Sequence, residues 1–363
     1  MTPKSPIGDT RRITIVTGAF PPDVCGVGDY TRRLVEAASP SWQVLVEREW
    51  RLRAAPGIVR RLLATRPTDV VVQYPTQGYG WSLVPHLLVV FGWVTRRYRP
   101  VFMLHEFGSL SGKARLTLAL ASHFACGMFF TTPAERDKAR ASRFFARNVS
   151  TAVVGILSNI PLDDNPPPFA SRSIDLAYFG HIRPNKGLER FLNVASTLRD
   201  RSSALRICVI GEIPAGYEAF GDMVARRCEA TAIDLILGLT DDEAGAILRD
   251  VKLLYLPYPD GASARRGTLL AGLGNGALVA STIGEATSAE LRRAIIACAG
   301  DESDALLLTS AIGQSEADAR ALGDEGRRYI RSALPRDWAH VAQLYERALA
   351  GEQVELAPTE AAC

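Results

Sequence analysis

The chain has 363 residues, with 42 Lys and Arg against 39 Asp and Glu, and 47% of its residues are apolar. At roughly 100–200 residues per domain, this length accommodates two domains, each large enough for its own core. The composition excludes wholesale disorder, no run of ~18 apolar residues offers a spanning helix, and the opening MTPKSPIGDTRR lacks the apolar stretch of a secretory signal.

Short β-rich apolar runs then alternate with longer amphipathic stretches. Segments 12–17 (RITIVT), 43–46, 69–73 (DVVVQ), 101–105 (VFMLH), 127–131 and 151–154 read as strands. Between them, 28–38, 57–65, 82–97, 113–123 and 133–141 read as helices. Continuous apolar strands between helices indicate a parallel sheet covered on both faces. The run SNIPLDDNPPPFAS at 158–171 carries four prolines and suits a linker. The pattern then restarts. Strands are expected at 175–179, 205–211, 233–237, 252–256, 277–281 and 294–297, with helices at 187–198, 217–230, 241–249 and 267–273. Helical segments at 302–311, 315–333 and 335–349 close the chain. The last places Trp338, Val341, Leu344 and Tyr345 on one face. Two doubly wound α/β domains in tandem follow from this order.

Six cysteines (Cys25, Cys126, Cys208, Cys228, Cys298, Cys363) are scattered, with no C-x-x-C and no His at metal-ligand spacing. That suits a reduced chain without a structural zinc. Residues 1–170 hold 21 Lys and Arg against 12 Asp and Glu, so the first half is basic and the second acidic. A basic half fits either an anionic ligand or surface, or an ordinary solvated Arg-rich face. Nothing interleaves these charges with aromatics as a nucleic-acid motif would.

Open α/β sheets bind ligands at the carboxyl ends of their strands, so the loops there are the candidates. In the first, Gly26 and Gly28 open a helix and would let backbone amides approach an anion; a plain tight turn uses the same residues. Thr31 stands where a dinucleotide fingerprint needs glycine. In the second, Arg183 and Lys186 lie three apart before a helix N-terminus. There they oppose the dipole unless an anion binds, and a diphosphate would fit. His105 ends a strand beside Glu106, in place to donate, accept or touch a sugar hydroxyl, or to be a satisfied structural side chain. Ser263, Arg265, Arg266, Gly267 and Thr268 precede an apolar helix and could hold phosphate or merely cap it. Gln73 and Tyr79 offer amide and phenol groups in another loop. The stretch from Leu83 to Arg99 reads either as an interfacial anchor or as a buried helix with a cationic end. No P-loop, H-E-x-x-H, G-x-S-x-G or D-x-D is present.

Taken together, PPDVCGVGDYTRRL, HEF, FGHIRPNKGLERFL, VIGE, LLAGLGNGALVAS and the closing W-x-x-V-A-x-x-Y resemble a retaining glycosyltransferase of family 4. The pieces run from about residue 12 to 349. The resemblance implies the GT-B fold, α/β with two Rossmann-like domains facing across a cleft and a C-terminal helix packing back on the first. It implies an acceptor-binding domain at 1–160 and a nucleotide-sugar-binding domain at 161–334. Residues 335–363 would be the returning helix and a flexible tail. His105, Arg183 and Lys186 would be catalytic. Donor binding would fall to Gly26, Gly28, Gly211, Glu212, Gly238, Ser263, Arg265, Arg266, Gly267 and Thr268, and acceptor binding to Asp29, Tyr30, Gln73, Tyr79 and Glu106. No metal and no cofactor beyond the nucleotide-sugar co-substrate is implied. Two departures stand out. His181 replaces an Arg frequent in the family, with Arg183 two places on. Ser263 and Ala271 replace the two glutamates of an E-x7-E motif.

The expected function is transfer of a sugar from a nucleotide-sugar to a saccharide or lipid-linked acceptor, in surface polysaccharide or glycolipid assembly. The protein would be cytoplasmic or peripheral at the inner membrane face, with an anionic membrane surface as a partner and no nucleic acid. Two alternatives use the same fold: a nucleotide-sugar epimerase, or a nucleotide-sugar-binding protein without catalysis.

Overall fold

The computed structural model describes residues 11–355 except Val24, Ser109 and Asp164, so the expected tail at 356–363 and Cys363 lie outside the described residues. These residues form two compact units. Those up to Ile156 together with those from Pro335 make the first, and Leu157–Leu334 the second.

The first unit is a six-stranded parallel sheet in the order β2-β1-β3-β4-β5-β6. The strands are β1 (Ile13–Thr17), β2 (Trp42–Val46), β3 (Asp69–Tyr74), β4 (Arg99–Leu104), β5 (Gly127–Phe130) and β6 (Ser150–Val153). Its helices are α1 (Gly26–Ala37), α2 (Ala55–Ala64), α3 (Val84–Thr95), α4 (Gly112–Ala121), α5 (Pro133–Arg140) and, from the chain's end, α13 (Trp338–Leu349). Alternation along the strands divides their side chains between two faces. Val70, Val72, Phe102, Leu104, Met128 and Phe130 meet α2, α3 and α4 in one core. Phe129 points the other way, onto Tyr345 of α13, with ring centroids 5.6 Å apart. That helix packs on α1 through a hydroxyl pair, Tyr30 with Tyr345 at 3.1 Å, and through the edge of Trp338 against Tyr30.

One buried group in the first core is mismatched to its surroundings. His86 of α3 lies against Tyr74 and Phe102, and neither ring nitrogen has a hydrogen-bond partner. Burial pushes its pKa down to about 4. The neutral ring is therefore favoured by folding, and the stability it retains above pH ~6.5 is lost as pH falls towards 4. His86→Leu should remove that acid sensitivity and raise the midpoint of thermal unfolding at pH 5 by a few degrees, since an apolar side chain of similar size fits the site. A variant with an unchanged or lower midpoint at pH 5 would contradict this account.

The second unit is another six-stranded parallel sheet, ordered β12-β11-β10-β7-β8-β9. Its strands are β7 (Ile174–His181), β8 (Ile207–Glu212), β9 (Asp234–Leu237), β10 (Val251–Leu256), β11 (Leu278–Thr282) and β12 (Ile296–Cys298). The helices are α6 (Leu188–Arg201), α7 (Glu218–Ala230), α8 (Asp241–Arg249), α9 (Gly267–Gly274), α10 (Ala289–Arg293), α11 (Asp304–Ile312) and α12 (Glu316–Ala333). The α8 start carries a full capping box between Thr240 and Glu243. The sequence gives no periodic signal for α10, whose five residues bury only Leu291. The 158–171 run ends in a short 3-10 turn, Phe169–Ser171.

In each sheet the strand order reverses once, between β1 and β3 and between β7 and β10. Loops leaving the carboxyl ends on either side of such a reversal diverge and open a crevice.

Candidate functional site

In the second unit, the reversal brings together two of the loops singled out by sequence. The segment after β7 turns sharply into α6. Asn185 (φ +63°) and Gly187 (φ +84°) are left-handed there, and a Cβ at Gly187 would overlap the Pro257 carbonyl. Gly211 of β8 is equally constrained, because a side chain would strike the Gly180 carbonyl oxygen. These glycines let the β7 turn lie flat against β8 and against the loop after β10.

The other side of the crevice is the N-terminus of α9. Arg266 occupies its cap position without a side-chain cap bond, so the first amides of α9 have no intrahelical acceptor. Thr268 approaches Gly180, 3.5 Å from the position a Cβ would take there. Its hydroxyl shares a 2.7 Å hydrogen bond with Tyr258. The Tyr178 phenol, buried nearby, lies in the fields of both Arg183 and Arg266, which offset part of the rise that burial causes in its pKa. Arg183, Lys186, Thr268 and the α9 amides thus converge on one region. His181 joins them as a neutral group. Burial, then Lys186 and Arg183, pushes its pKa down to about 4, so the fixed positive charge comes from its neighbours.

Two expected donor contacts need correction. Arg265 and Arg266 are nearly covered, and both pair with Asp260, Arg265 at 2.6 Å. The Arg266 guanidinium also lies over the Tyr258 ring, 4.5 Å from its centroid. Their charge is therefore met within the loop, and the backbone is what this segment presents. Ser263 is buried and its hydroxyl has no partner. Ala271 is fully buried in α9. Gly267 stands in open space at the first turn of α9. Gly238 (φ +71°) and Glu212 are exposed at the ends of β9 and β8.

In the first unit, α1 begins without a side-chain cap. Gly26 is exposed there, and Gly28 packs on the Ala19 backbone, where a Cβ would lie 3.1 Å from the carbonyl oxygen. His105, immediately after β4, is buried and bonds through Nε2 to the Gln73 Oε1 of β3 at 2.5 Å. The neighbouring parallel register of β3 and β4 sets this pair. Burial pushes the His105 pKa down to about 4 against the opposing effect of Glu106. The ring is neutral at pH 7. The Gln73 amide holds the ring in place through Nε2.

Three of the residues expected to bind acceptor are buried and bonded within the protein. Tyr30 is buried between Trp338, His105 and Tyr345. Tyr79 is buried against Trp50, and its hydroxyl donates to the Val16 carbonyl at 3.3 Å. Gln73 is fully buried and serves His105. Asp29 is half-buried and Glu106 exposed. Sequence reasoning missed His181 as a site member and Asp260 as the anchor of both arginines. The D-x4-R-R spacing was the available signal for the latter. Among the described residues no group of His, Cys, Asp or Glu could hold a metal ion.

No protein-family model and no curated protein matches the sequence. Solved structures do match in fold. The HepE protein of Anabaena, crystallised with UDP and glucose, superposes with a TM-score of 0.70 at 11% identity, over 94% of this chain and 99% of that one. The fold is GT-B. The sucrose-phosphate synthase of Thermosynechococcus elongatus gives 0.67 at 17% identity, over 94% and 100% of the two chains. The N-terminal domain of a Candida albicans trehalose-6-phosphate phosphatase gives 0.68 at 11%, over 96% and 99%. At these identities the GT-B likeness concerns architecture, and the chemistry must be argued from this chain's own residues.

Proposed function

We propose that this GT-B chain is a glycosyltransferase that takes a nucleotide-sugar donor in its second unit and acts with retention. One observation carries the reading: Arg183, Lys186 and the uncapped α9 N-terminus converge at the reversal of the second sheet. A diphosphate would meet both fixed cations and helix N-terminal amides there. HepE, with the same fold, was crystallised with UDP and glucose.

Breaking the anomeric C–O bond leaves positive charge on the sugar and negative charge on the diphosphate. Arg183, Lys186 and the α9 amides would stabilise the departing anion, and cationic side chains would fill the role a metal ion could otherwise take. No enzymic nucleophile is assigned. A phosphate oxygen would assist the acceptor as it attacks from the leaving-group face. Neutral His105 would contact a sugar hydroxyl. The acceptor, a saccharide or a lipid-linked saccharide, is assigned to the first unit, with Asp29 and Glu106 as contacts. Surface polysaccharide or glycolipid assembly is the corresponding role.

The test is a thermal-shift screen against UDP-, GDP-, dTDP- and ADP-sugars, without added metal. A ligand at 100 times its Kd should stabilise the protein by about 2.7 kcal/mol. The expected result is a shift with one nucleotide class, lost in Arg183→Ala. A shift that survives both Arg183→Ala and Lys186→Ala would place the donor elsewhere. A second reading has an observation of its own. Ser263 and Ala271, both buried, leave no carboxylate at the two positions where the resembled family has glutamate. Tight binding without sugar transfer to any acceptor would favour a nucleotide-sugar-binding protein.

A further inference from the structure

Helix α3 is apolar around its whole circumference, yet only one side of it is covered. Val84, Leu88, Val89 and Gly92 face the core. Leu83, Leu87 and Val94, on the opposite side, are 50, 45 and 62% exposed. They form one stripe at i, i+4 and i+11. Adjacent α4 also exposes two leucines one turn apart, Leu116 and Leu120, by 42 and 49%. A surface helix normally carries polar residues on its outer side, so large apolar side chains in rows on two neighbouring helices mark a contact surface.

The ends of this face carry tryptophan and cations. Trp81, two residues before the stripe begins, is 84% exposed. Trp93, near the other end, is half exposed and stacks edge-on against Phe124 at 5.3 Å. Arg96 and Arg97 follow α3 and are exposed, and exposed Lys113 lies in line with Leu116 and Leu120 on α4. Between Asp69 and Glu135 the sequence holds five basic residues and one acidic residue, Glu106. Arg48, Arg51 and Arg53, with Glu49, line the hollow beside Trp81 and Leu83. Apolar rows, tryptophans and mainly cationic surroundings match the features of a membrane interface.

We infer that the outer face of α3 and α4 docks the protein on an anionic bilayer. The aliphatic stripe would enter the headgroup–acyl boundary, and Arg96, Arg97 and Lys113 would lie among the phosphates. No helix among the described residues is long and apolar enough to cross a membrane, so the attachment is in-plane and reversible. The inference is independent of the donor site, because lipid binding is read without any nucleotide-sugar.

The experiment is flotation of the full-length protein with vesicles of phosphatidylcholine, with and without phosphatidylglycerol. Strong partitioning is expected only with phosphatidylglycerol, weakening as salt is raised. Leu87→Ser with Val94→Ser should reduce partitioning about tenfold or more, because both side chains lie in the exposed stripe that would enter the lipid. Brominated lipid should quench tryptophan fluorescence, and Trp81→Ala should remove most of that quenching. Circular dichroism and nucleotide-sugar binding, unchanged in the Leu87/Val94 variant, would show that it folds. Absence of partitioning overturns the proposal, as does equal partitioning of wild type and variant. So does a dimer in lipid-free solution that Leu87→Ser dissociates, which would give the face to a second copy of the chain.

Discussion

Replacing Lys186 or Arg183 by Ala should lower glycosyl-transfer turnover by about 10²–10³-fold each, the range seen when one preorganised donor to a developing anion is removed. Both residues sit on the rigid turn between β7 and α6, which Gly187 presses against the Pro257 carbonyl and which the Gly180–Gly211 contact holds to β8. Both cations precede the N-terminus of α6, whose dipole disfavours them, and neither lies in the core, so the unfolding midpoint should change little. The combination distinguishes function from packing: turnover collapses while the unfolding midpoint stays within a few degrees. Lys186→Arg should recover part of the activity, since charge is kept and reach is altered. Near-normal turnover in both alanine variants would remove the basis for the proposed chemistry.

Tyr345→Ala should give the largest loss of stability, about 3–5 kcal/mol, as for other buried aromatic truncations. Its ring is fully buried and packs edge-on against Trp42 and Phe129, and its hydroxyl meets that of Tyr30. Truncation would open a cavity beneath α13 and leave the Tyr30 hydroxyl without its partner. Tyr345→Phe keeps the ring and removes only the hydroxyl, so it should cost about 1 kcal/mol. Thermal or urea unfolding measures both. A loss for Tyr345→Ala no greater than that for Tyr345→Phe would mean that α13 is not anchored as described.

Strands and helices were largely legible because both sheets are parallel and covered. Runs such as DVVVQ and VFMLH are continuously apolar between their polar ends, and helical periodicity separates them. The exceptions have physical reasons. Helix α10 is too short for any period to register, with one buried residue in five. Helix α3 starts later than expected, with Pro85 in its first turn, and ends at Arg96, which adopts a left-handed conformation (φ +54°) that no side-chain pattern announces.

The site was legible as loops and less so as side chains. Arg183 and Lys186 stand out in the sequence because two cations just before a helix start oppose its dipole. That Tyr30, Gln73 and Tyr79 are buried was not legible, because a polar tip in a loop or near a helix start resembles a ligand contact. Its protein partner is remote in sequence. Tyr30 meets a hydroxyl 315 residues away, and Tyr79 a carbonyl 63 residues away. Asp260 lies close to its arginines in sequence, but only the turn of that loop shows that it meets both.

The path of the chain between the two units has a consequence for synthesis. The first unit begins at the N-terminus but acquires α13, with Tyr345 and Trp338, only after the whole of the second unit has been made. A nascent chain therefore carries a first unit with Tyr30, Trp42 and Phe129 uncovered while the second unit is being translated and can already fold. Domains usually complete themselves in order of translation. Of these two units the one started first is the one finished last, and a stop codon before residue 338 would damage the unit that precedes the other in translation.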